Sequence, residues 1–465
     1  MYYVIYRERK FFLFLQPPNQ KTKKEYAMNS ASLNGQFPQL NGGKVYADWT
    51  GAALPPISLI EGWSRYLQST LLGNPHSHHK PSATAMQGIT QARAAILQYF
   101  NANADEYEVI FTSGATAAIR ILQHFLFEGG EYLLTADNHN SVNGLREDAR
   151  RQGAIVRYAP ISDDLTLDEA TLTRMLTYPR SMGNRLFAYP AKSNYSGIHH
   201  SLSWVNYAQS CGWSVLLDAA AYCGGKRLNL SKVKPDFVPI SFYKLFGYPT
   251  GVGCMIIKRS AYAKLHKRWF AGGSILLVSV TDENFYAPET LGYARFEDGT
   301  LNFANIPAVV PGLQFMESLG DICEHATVLG VKLYDSLQTL HEGDNSIIIH
   351  SPRGTDIVTF SVKRGQQIVD AWVFERYANE QAVFVRTGCF CNPGVNEKVF
   401  GYKIDAFKAL YNSTISNDAI TIDNLRRHIG GDVPIGAIRA SFGYANTEMD
   451  VNRIVAVTRQ FLRSL

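Results

Sequence analysis

From about Lys44 to Tyr262, short unbroken apolar runs alternate with stretches whose apolar residues fall at helical spacing. The run Val109-Ile110-Phe111 breaks at Thr112-Ser113-Gly114, after which Ile119, Leu122, Phe125 and Leu126 recur with the period of one helix face. Further apolar runs lie at Tyr132–Leu134, Ala154–Val156, Leu186–Tyr189, Val215–Leu217, Phe237–Ile240 and Val252–Ile257. Helices are predicted between several of them, at Leu165–Leu176 and at Ser203–Cys211, where Gly212 stops the second. Strands with no polar alternation are buried on both faces. The pattern therefore predicts an α/β fold whose mostly parallel sheet carries helices on each side.

After roughly Asn305 the pattern changes. A long amphipathic helix (Asp321–Leu340) precedes two strand-like runs, Ser346–His350 and Asp356–Val362. A helix over Gly365–Ala378, a strand over Ala382–Arg386, a loop and a strand over Ala437–Ser441 follow. Thr447 and Asp450 have capping-box spacing, and Val451, Ile454, Thr458 and Phe461 then share one helix face. This reads as a smaller α+β domain. The expected division is a disordered extension over 1–43, a large domain over 44–304 and a small domain over 305–465.

Composition adds little that is specific. Of 465 residues, 46% are hydrophobic and 18% charged, an ordinary globular balance, and a net charge of +5 with no basic stripe argues against nucleic acid as a partner. No run approaches the roughly 18–20 apolar residues of a membrane span. The start, Met1–Leu15, has basic residues before a short apolar stretch but no small-residue cleavage site, and Met28 is a second candidate for the translation start. Six cysteines are too few for a disulfide framework and point to a reducing, cytoplasmic setting. Four of them, Cys211, Cys223, Cys254 and Cys323, sit in apolar or helical runs as ordinary thiols; Cys389 and Cys391 do not.

The chemistry gathers at strand ends. Ser241-Phe242-Tyr243-Lys244 follows the run Phe237–Ile240 and precedes Gly- and Pro-rich turns, placing a lysine above the edge of a parallel sheet. An exposed structural lysine is the plainer use of such a residue, but Asp218 closes the apolar strand Val215–Leu217 and changes the balance. A carboxylate there is costly unless a cation meets it, and a protonated pyridine nitrogen is such a cation. The plainer use of Asp218 is to cap a helix. Thr112-Ser113-Gly114-Ala115-Thr116 joins a strand to a helix and suits a dianionic phosphate. His139 closes another strand on the same side, where an imidazole can stack on a flat ring. Cys389 and Cys391 lie in a loop bounded by Gly388, Pro393 and Gly394, mobile or tightly turned. Two residues apart, they would strain a disulfide, and no second pair completes a zinc site. His76, His78 and His79 invite a metal reading, but a polar entrance or a solvated loop is the commoner use, and no metal is expected.

These stretches, with Asn74-Pro75-His76-Ser77 and Arg386-Thr387-Gly388-Cys389-Phe390-Cys391-Asn392-Pro393-Gly394, resemble fold-type I pyridoxal-phosphate transferases of the class V aminotransferase family. Within it, the cysteine desulfurase branch is nearest, above all the N-terminal desulfurase half of molybdenum cofactor sulfurases. The resemblance runs from about Val45 to the C-terminus. It implies that Lys244 carries pyridoxal 5'-phosphate, Asp218 meets the pyridine nitrogen and His139 stacks on the ring. Asn194 would lie near the ring oxygen, and Ala115, Thr116 and Ser241 would hold the phosphate. Gly299 and Thr300 would reach the phosphate of a second subunit, implying a homodimer. Arg439 would grip the carboxylate of L-cysteine through its two-pronged guanidinium, with Arg386 supplying further positive charge. The implied chemistry passes the sulfur of L-cysteine to a cysteine thiolate as a persulfide and leaves L-alanine. By alignment the attacking thiol is Cys391, with Cys389 assisting or receiving. Tyr243 and Ala221 stand where simpler desulfurases have His and Gln, as in the molybdenum cofactor sulfurases. The sulfur acceptor would be a molybdenum cofactor or a carrier protein. Lys244, Asp218 and Arg439 would equally serve a transaminase, racemase or carbon–sulfur lyase; only the cysteine loop favours the persulfide. A non-catalytic homologue is disfavoured by the full cofactor set.

Overall fold

A computed structural model describes residue 33 and residues 35–465, apart from 283–285, 290–291, 403–404, 406–407, 409–420 and 422–433. The expected disorder over residues 1–32 and 34 lies outside the described residues. By Phe37 the chain is already part of the fold: this ring is 1% exposed and packs against Trp49, Phe315 and Tyr444. The extension expected to run to residue 43 therefore ends earlier, because an aromatic side chain has a core site waiting for it.

After β1 (Val45–Tyr46) come seven strands of one sheet: β2 (Tyr107–Thr112), β3 (Glu131–Thr135), β4 (Ile155–Ala159), β5 (Arg185–Pro190), β6 (Ser214–Asp218), β7 (Phe237–Ser241) and β8 (Gly253–Lys258). Their spatial order is β2-β8-β7-β6-β5-β3-β4, and β8 alone among them runs antiparallel to its neighbours. The apolar runs are explained by burial on both faces. Leu133, Phe187, Tyr189, Val215 and Leu217 point into one core, while Tyr132, Leu134, Leu186, Ala188 and Leu216 point into the other. One consequence positions the chemistry: the carboxyl ends of β2, β3, β5, β6 and β7 share one edge, where ligands bind in open α/β sheets.

After a short antiparallel pair, β9 (Ile275–Val278) and β10 (Tyr286–Pro288), a second sheet forms. It contains β11 (Ile347–Ile349), β12 (Ile357–Arg364), β15 (Arg386–Gly388) and β16 (Ala437–Ser441) in the order β11-β12-β16-β15, with β13 (Gln367–Ile368) on β12. The helices Ile322–Asp344 and Glu448–Ser464 cover it, contributing Leu329, Leu333, Val451 and Ile454 to its core. Asp450 accepts the Thr447 backbone N–H at 2.7 Å, as the capping-box spacing predicts. β1 pairs in parallel with β14 (Val383–Phe384), so Val45 and Ala47 belong to this second core.

Two predicted helices begin late. Over Gly365–Ala378, the chain first makes the β12–β13 hairpin around Gly365, whose φ of 62° suits glycine. The helix is Ala371–Glu380, started by Asp370. The helix expected over Leu165–Leu176 is Glu169–Thr177, because Asp168 caps it by accepting the Thr171 N–H at 2.9 Å.

Candidate active site

Each strand end delivers one group to a cavity at the sheet edge. β2 leads through Gly114 into the helix Ala115–Arg120, and the Ala115 N–H donates to Ser241 Oγ at 2.7 Å, tying the ends of β2 and β7 together. Gly253 makes that closeness possible. A Cβ there would sit 2.4 Å from the Ile240 carbonyl oxygen and 2.5 Å from Gly114 Cα. Thr116 Oγ1 lies 2.7 Å from Ser141 Oγ, so Ser141, which the sequence reading missed, joins Ala115, Thr116 and Ser241 around one polar pocket.

His139 follows β3. Its Nδ1 accepts the Ser141 backbone N–H at 3.1 Å. Burial, reinforced by the charge of Lys244, holds its pKa below the ordinary histidine value, which makes it a neutral ring with a free face. Asp218 ends β6, is 7% exposed, and accepts the Ala220 N–H at 3.0 Å. Lys244 lies in the single helical turn after β7. Desolvation lowers its pKa from the usual lysine value; Asp218 opposes that shift, whereas Arg439 and Arg386 add to it. A lysine amine, a buried carboxylate and an imidazole thus face one cavity, together with Asn194 and Asn392. Lys192, also missed, lines the same cavity and is fixed by an ion pair to Asp356 at 2.5 Å. A wider cleft of about 690 Å³ between Lys226 and Val328 contains none of these groups.

The second sheet brings the arginines. Arg386 and Arg439 are directly opposite one another on β15 and β16. Arg439 is 2% exposed; its Nη1 donates to the Asn194 carbonyl at 2.7 Å and its Nη2 to Asp48 Oδ1 at 2.6 Å. Arg386 reaches the other Asp48 oxygen at 3.5 Å. The Arg439 Nε–H is buried with no partner among the described residues, a donor left for an incoming acceptor. Phe390 covers the guanidinium face at 4.6 Å.

The cysteine loop is tightly turned. Phe390 and Cys391 both adopt left-handed backbone, with φ of 54° and 57°. All six cysteines are free; Cys223 and Cys254 are buried, whereas Cys211 and Cys323 are partly exposed. Both loop thiols are partly exposed, and Asn392, the residue after Cys391, lines the cavity with Lys244. Gly299 and Thr300 are exposed and do not line this cavity. His76 and His78 are exposed, His79 caps the helix Lys80–Tyr99, and among the described residues no cluster could hold a metal ion.

Residues 45–454, nearly the whole described fold, match the family model "Aminotransferase class-V". The chain belongs to the class V aminotransferase family. Among curated members, the molybdenum cofactor sulfurase of Arabidopsis thaliana is 31% identical over 90% of this chain and 56% of its own length. The chain spans about half the length of the curated relatives it matches. The cysteine desulfurase CsdA of Escherichia coli superposes with a TM-score of 0.76 at 20% identity, covering 94% of this chain and all of that one. A C-DES mutant with glycine covalently linked to its pyridoxal-phosphate cofactor superposes with a TM-score of 0.67 at 18% identity, covering 90% and 97% of the two chains. These likenesses make the fold that of the fold-type I pyridoxal-phosphate enzymes. Within this class V scaffold, the residues expected from sequence at strand ends do converge. The two sheets meet across the Lys192–Asp356 ion pair and the hydrogen bond from Arg439 to the Asn194 carbonyl.

Proposed function

We propose that this class V protein is a pyridoxal-phosphate-dependent cysteine desulfurase and sulfurtransferase of the molybdenum cofactor sulfurase kind. One observation carries the reading: Lys244 and Asp218 line one cavity with Asn392, the residue after Cys391, while Phe390 of the same loop covers the Arg439 guanidinium at 4.6 Å.

The donor set suits the cofactor. Ser241, Thr116 and the Ala115 turn offer hydroxyls and backbone N–H to a phosphate, and Asp218 is a buried anion able to meet a pyridinium nitrogen. The neutral His139 ring offers a stacking face. Lys244 supplies the amine for covalent attachment. When bound, the cofactor supplies the electron sink that weakens bonds near the substrate's α-carbon. Arg439 Nε–H and its neighbouring donors take the substrate carboxylate. Desolvation lowers the pKa of Lys244, which suits its Nζ to act as the base that removes the α-proton of cysteine. The Cys391 thiolate then attacks the substrate sulfur: a sulfur–sulfur bond forms, the carbon–sulfur bond breaks, and the carbon skeleton leaves as L-alanine. Incubation with L-cysteine tests this directly. Alanine and protein-bound, cyanide-labile sulfur are expected in equal amounts in the first turnover. Pyruvate and free sulfide with no bound sulfur would mean carbon–sulfur lysis instead.

The sulfur acceptor in this reading is the molybdenum cofactor named in the curated relatives, and the free thiols suit a reducing cytoplasm. Among the described residues no helix is long and apolar enough to cross a membrane. The active species in this reading is a homodimer. Gly299 and Thr300 are exposed, and the Gly299 N–H donates to the Gly272 carbonyl in a segment that also exposes Trp269, Leu276, Leu277 and Val280. Mixing Thr300→Trp subunits with Lys244→Ala subunits is expected to restore activity toward one wild-type site per mixed dimer. No gain on mixing would remove the shared site.

A further inference from the structure

Asp137 has no place in the chemistry above, yet it is wholly buried beside it. Its carboxylate accepts hydrogen bonds from three side chains in two separate parts of the chain. His200 Nε2 lies 2.7 Å from Oδ2, Ser193 Oγ donates to Oδ1 at 3.1 Å, and Asn392 Nδ2 donates to Oδ1 at 2.6 Å. His200 and Ser193 flank the turn after β5, so they fix the carboxylate with respect to the large sheet. Asn392 is different: it is the residue after Cys391, is 1% exposed, and is the one group on Asp137 that comes from the sulfur-bearing loop.

Neighbouring contacts hold the loop in the same direction. Asn392 Nδ2 also donates to Asn194 Oδ1 at 2.9 Å, and Asn194 Nδ2 donates to the Phe390 carbonyl at 2.7 Å. The Asn140 N–H donates to the Cys391 carbonyl at 2.8 Å. Gly394 lies so close to the large unit that a Cβ there would sit 2.2 Å from the Ala136 carbonyl oxygen. Two successive non-glycine residues in left-handed backbone are unfavourable without such restraint. A loop secured on both sides of its cysteine cannot swing the thiol freely. The loop has one stance, with Asn392, the residue after Cys391, lining the cavity that holds Lys244.

We propose that Asp137 is a positioning residue for the sulfur-transfer step, holding Asn392 so that Cys391 Sγ is fixed in line with the substrate sulfur. This rests on Cys391 being the attacking thiol. Asp137 touches neither substrate nor cofactor, and it acts through Asn392. Nucleophilic attack depends steeply on alignment, whereas Asp137 makes no contact with Arg439, whose own partners are Asp48, the Asn194 carbonyl and the Phe390 ring.

Asp137→Asn and Asn392→Ala test the idea in the cofactor-loaded protein. Two variants are used because Asn392 also caps the helix Pro393–Phe400, whereas Asp137→Asn leaves that cap in place. In both, kcat for alanine formation is expected to fall at least about tenfold while KM for L-cysteine stays within about twofold. Iodoacetamide should alkylate Cys391 at least about tenfold faster, with Cys223 and Cys254 still protected. Unchanged kcat and unchanged Cys391 alkylation in both variants would overturn the proposal. So would equal exposure of Cys223 and Cys254, which signals general loosening. Mass spectrometry of the cysteine-treated proteins separates the two layers. Sulfur on Cys391 with unaltered reactivity rejects the anchor alone. Sulfur on Cys389 in the wild-type protein rejects the underlying assignment and the anchor with it.

Discussion

Lys244→Ala protein is expected to fold, to carry no borohydride-reducible bond to pyridoxal phosphate, and to lose alanine formation by on the order of 10⁴-fold. Both losses have one cause, because the same Nζ is the attachment point and the base. The pH dependence of stability gives an independent check. Desolvation lowers the folded pKa of Lys244 below its unfolded value. Between those two values the unfolded chain binds the extra proton, so this group makes the wild-type apo-protein more stable as pH rises. Below both values the group is charged in either state and its burial opposes folding. Lys244→Ala apo-protein should lack the rise and melt no lower than wild type near neutral pH. A reducible bond that persisted in the variant would assign the attachment to another lysine, with Lys192 the nearest candidate in the cavity.

For Cys391→Ser the expected result is a protein that still binds cofactor and L-cysteine but accumulates no persulfide. Neither binding step needs the thiol, since Lys244, Asp218 and Arg439 are untouched. A serine hydroxyl supplies almost no anion near neutral pH, so sulfur transfer should fall by more than about 10³-fold. Cys389→Ser should retain most first-turnover desulfuration, because Cys391, next to the cavity-lining Asn392, is the thiol that aligns with the desulfurase nucleophile. The measurement is mass spectrometry of the peptide spanning Arg386 to Lys398 after brief exposure to cysteine. An extra sulfur in Cys391→Ser protein, located on Cys389, would reverse the assignment within the loop.

The strand ends were readable because a buried parallel sheet leaves an unmistakable trace, continuous apolar runs ending in polar residues. That trace located Asp218, Ser241, Lys244 and His139 before any coordinates. Asn194 was named only by family likeness, and its amide engages the Phe390 carbonyl and Asn392. Asp48, Asp137, Ser141 and Lys192 were missed for a shared reason. Each acts through a partner distant in sequence, Asp48 on Arg439 and Lys192 on Asp356 among them, and local pattern carries no information about such pairs. Asp48 had a faint signal, an acid directly after the buried Val45–Ala47 stretch. Gly365 misled in the opposite way: apolar spacing after it matched a helix, but glycine with positive φ closed a hairpin first.

The pairing of β1 with β14 has a bearing on how the protein is made. Val45 leaves the ribosome long before its strand partner Val383. In that interval the segment that ends in Asp48 has no ladder to join, while the large sheet, all of whose strands lie between Tyr107 and Lys258, can already assemble. Closing so long a loop is slow, which favours completion of the second core as the late step of folding. That step also delivers Asp48 to Arg439 and Arg386. A nascent or refolding chain would then have a finished cofactor platform before it had a carboxylate-binding pocket.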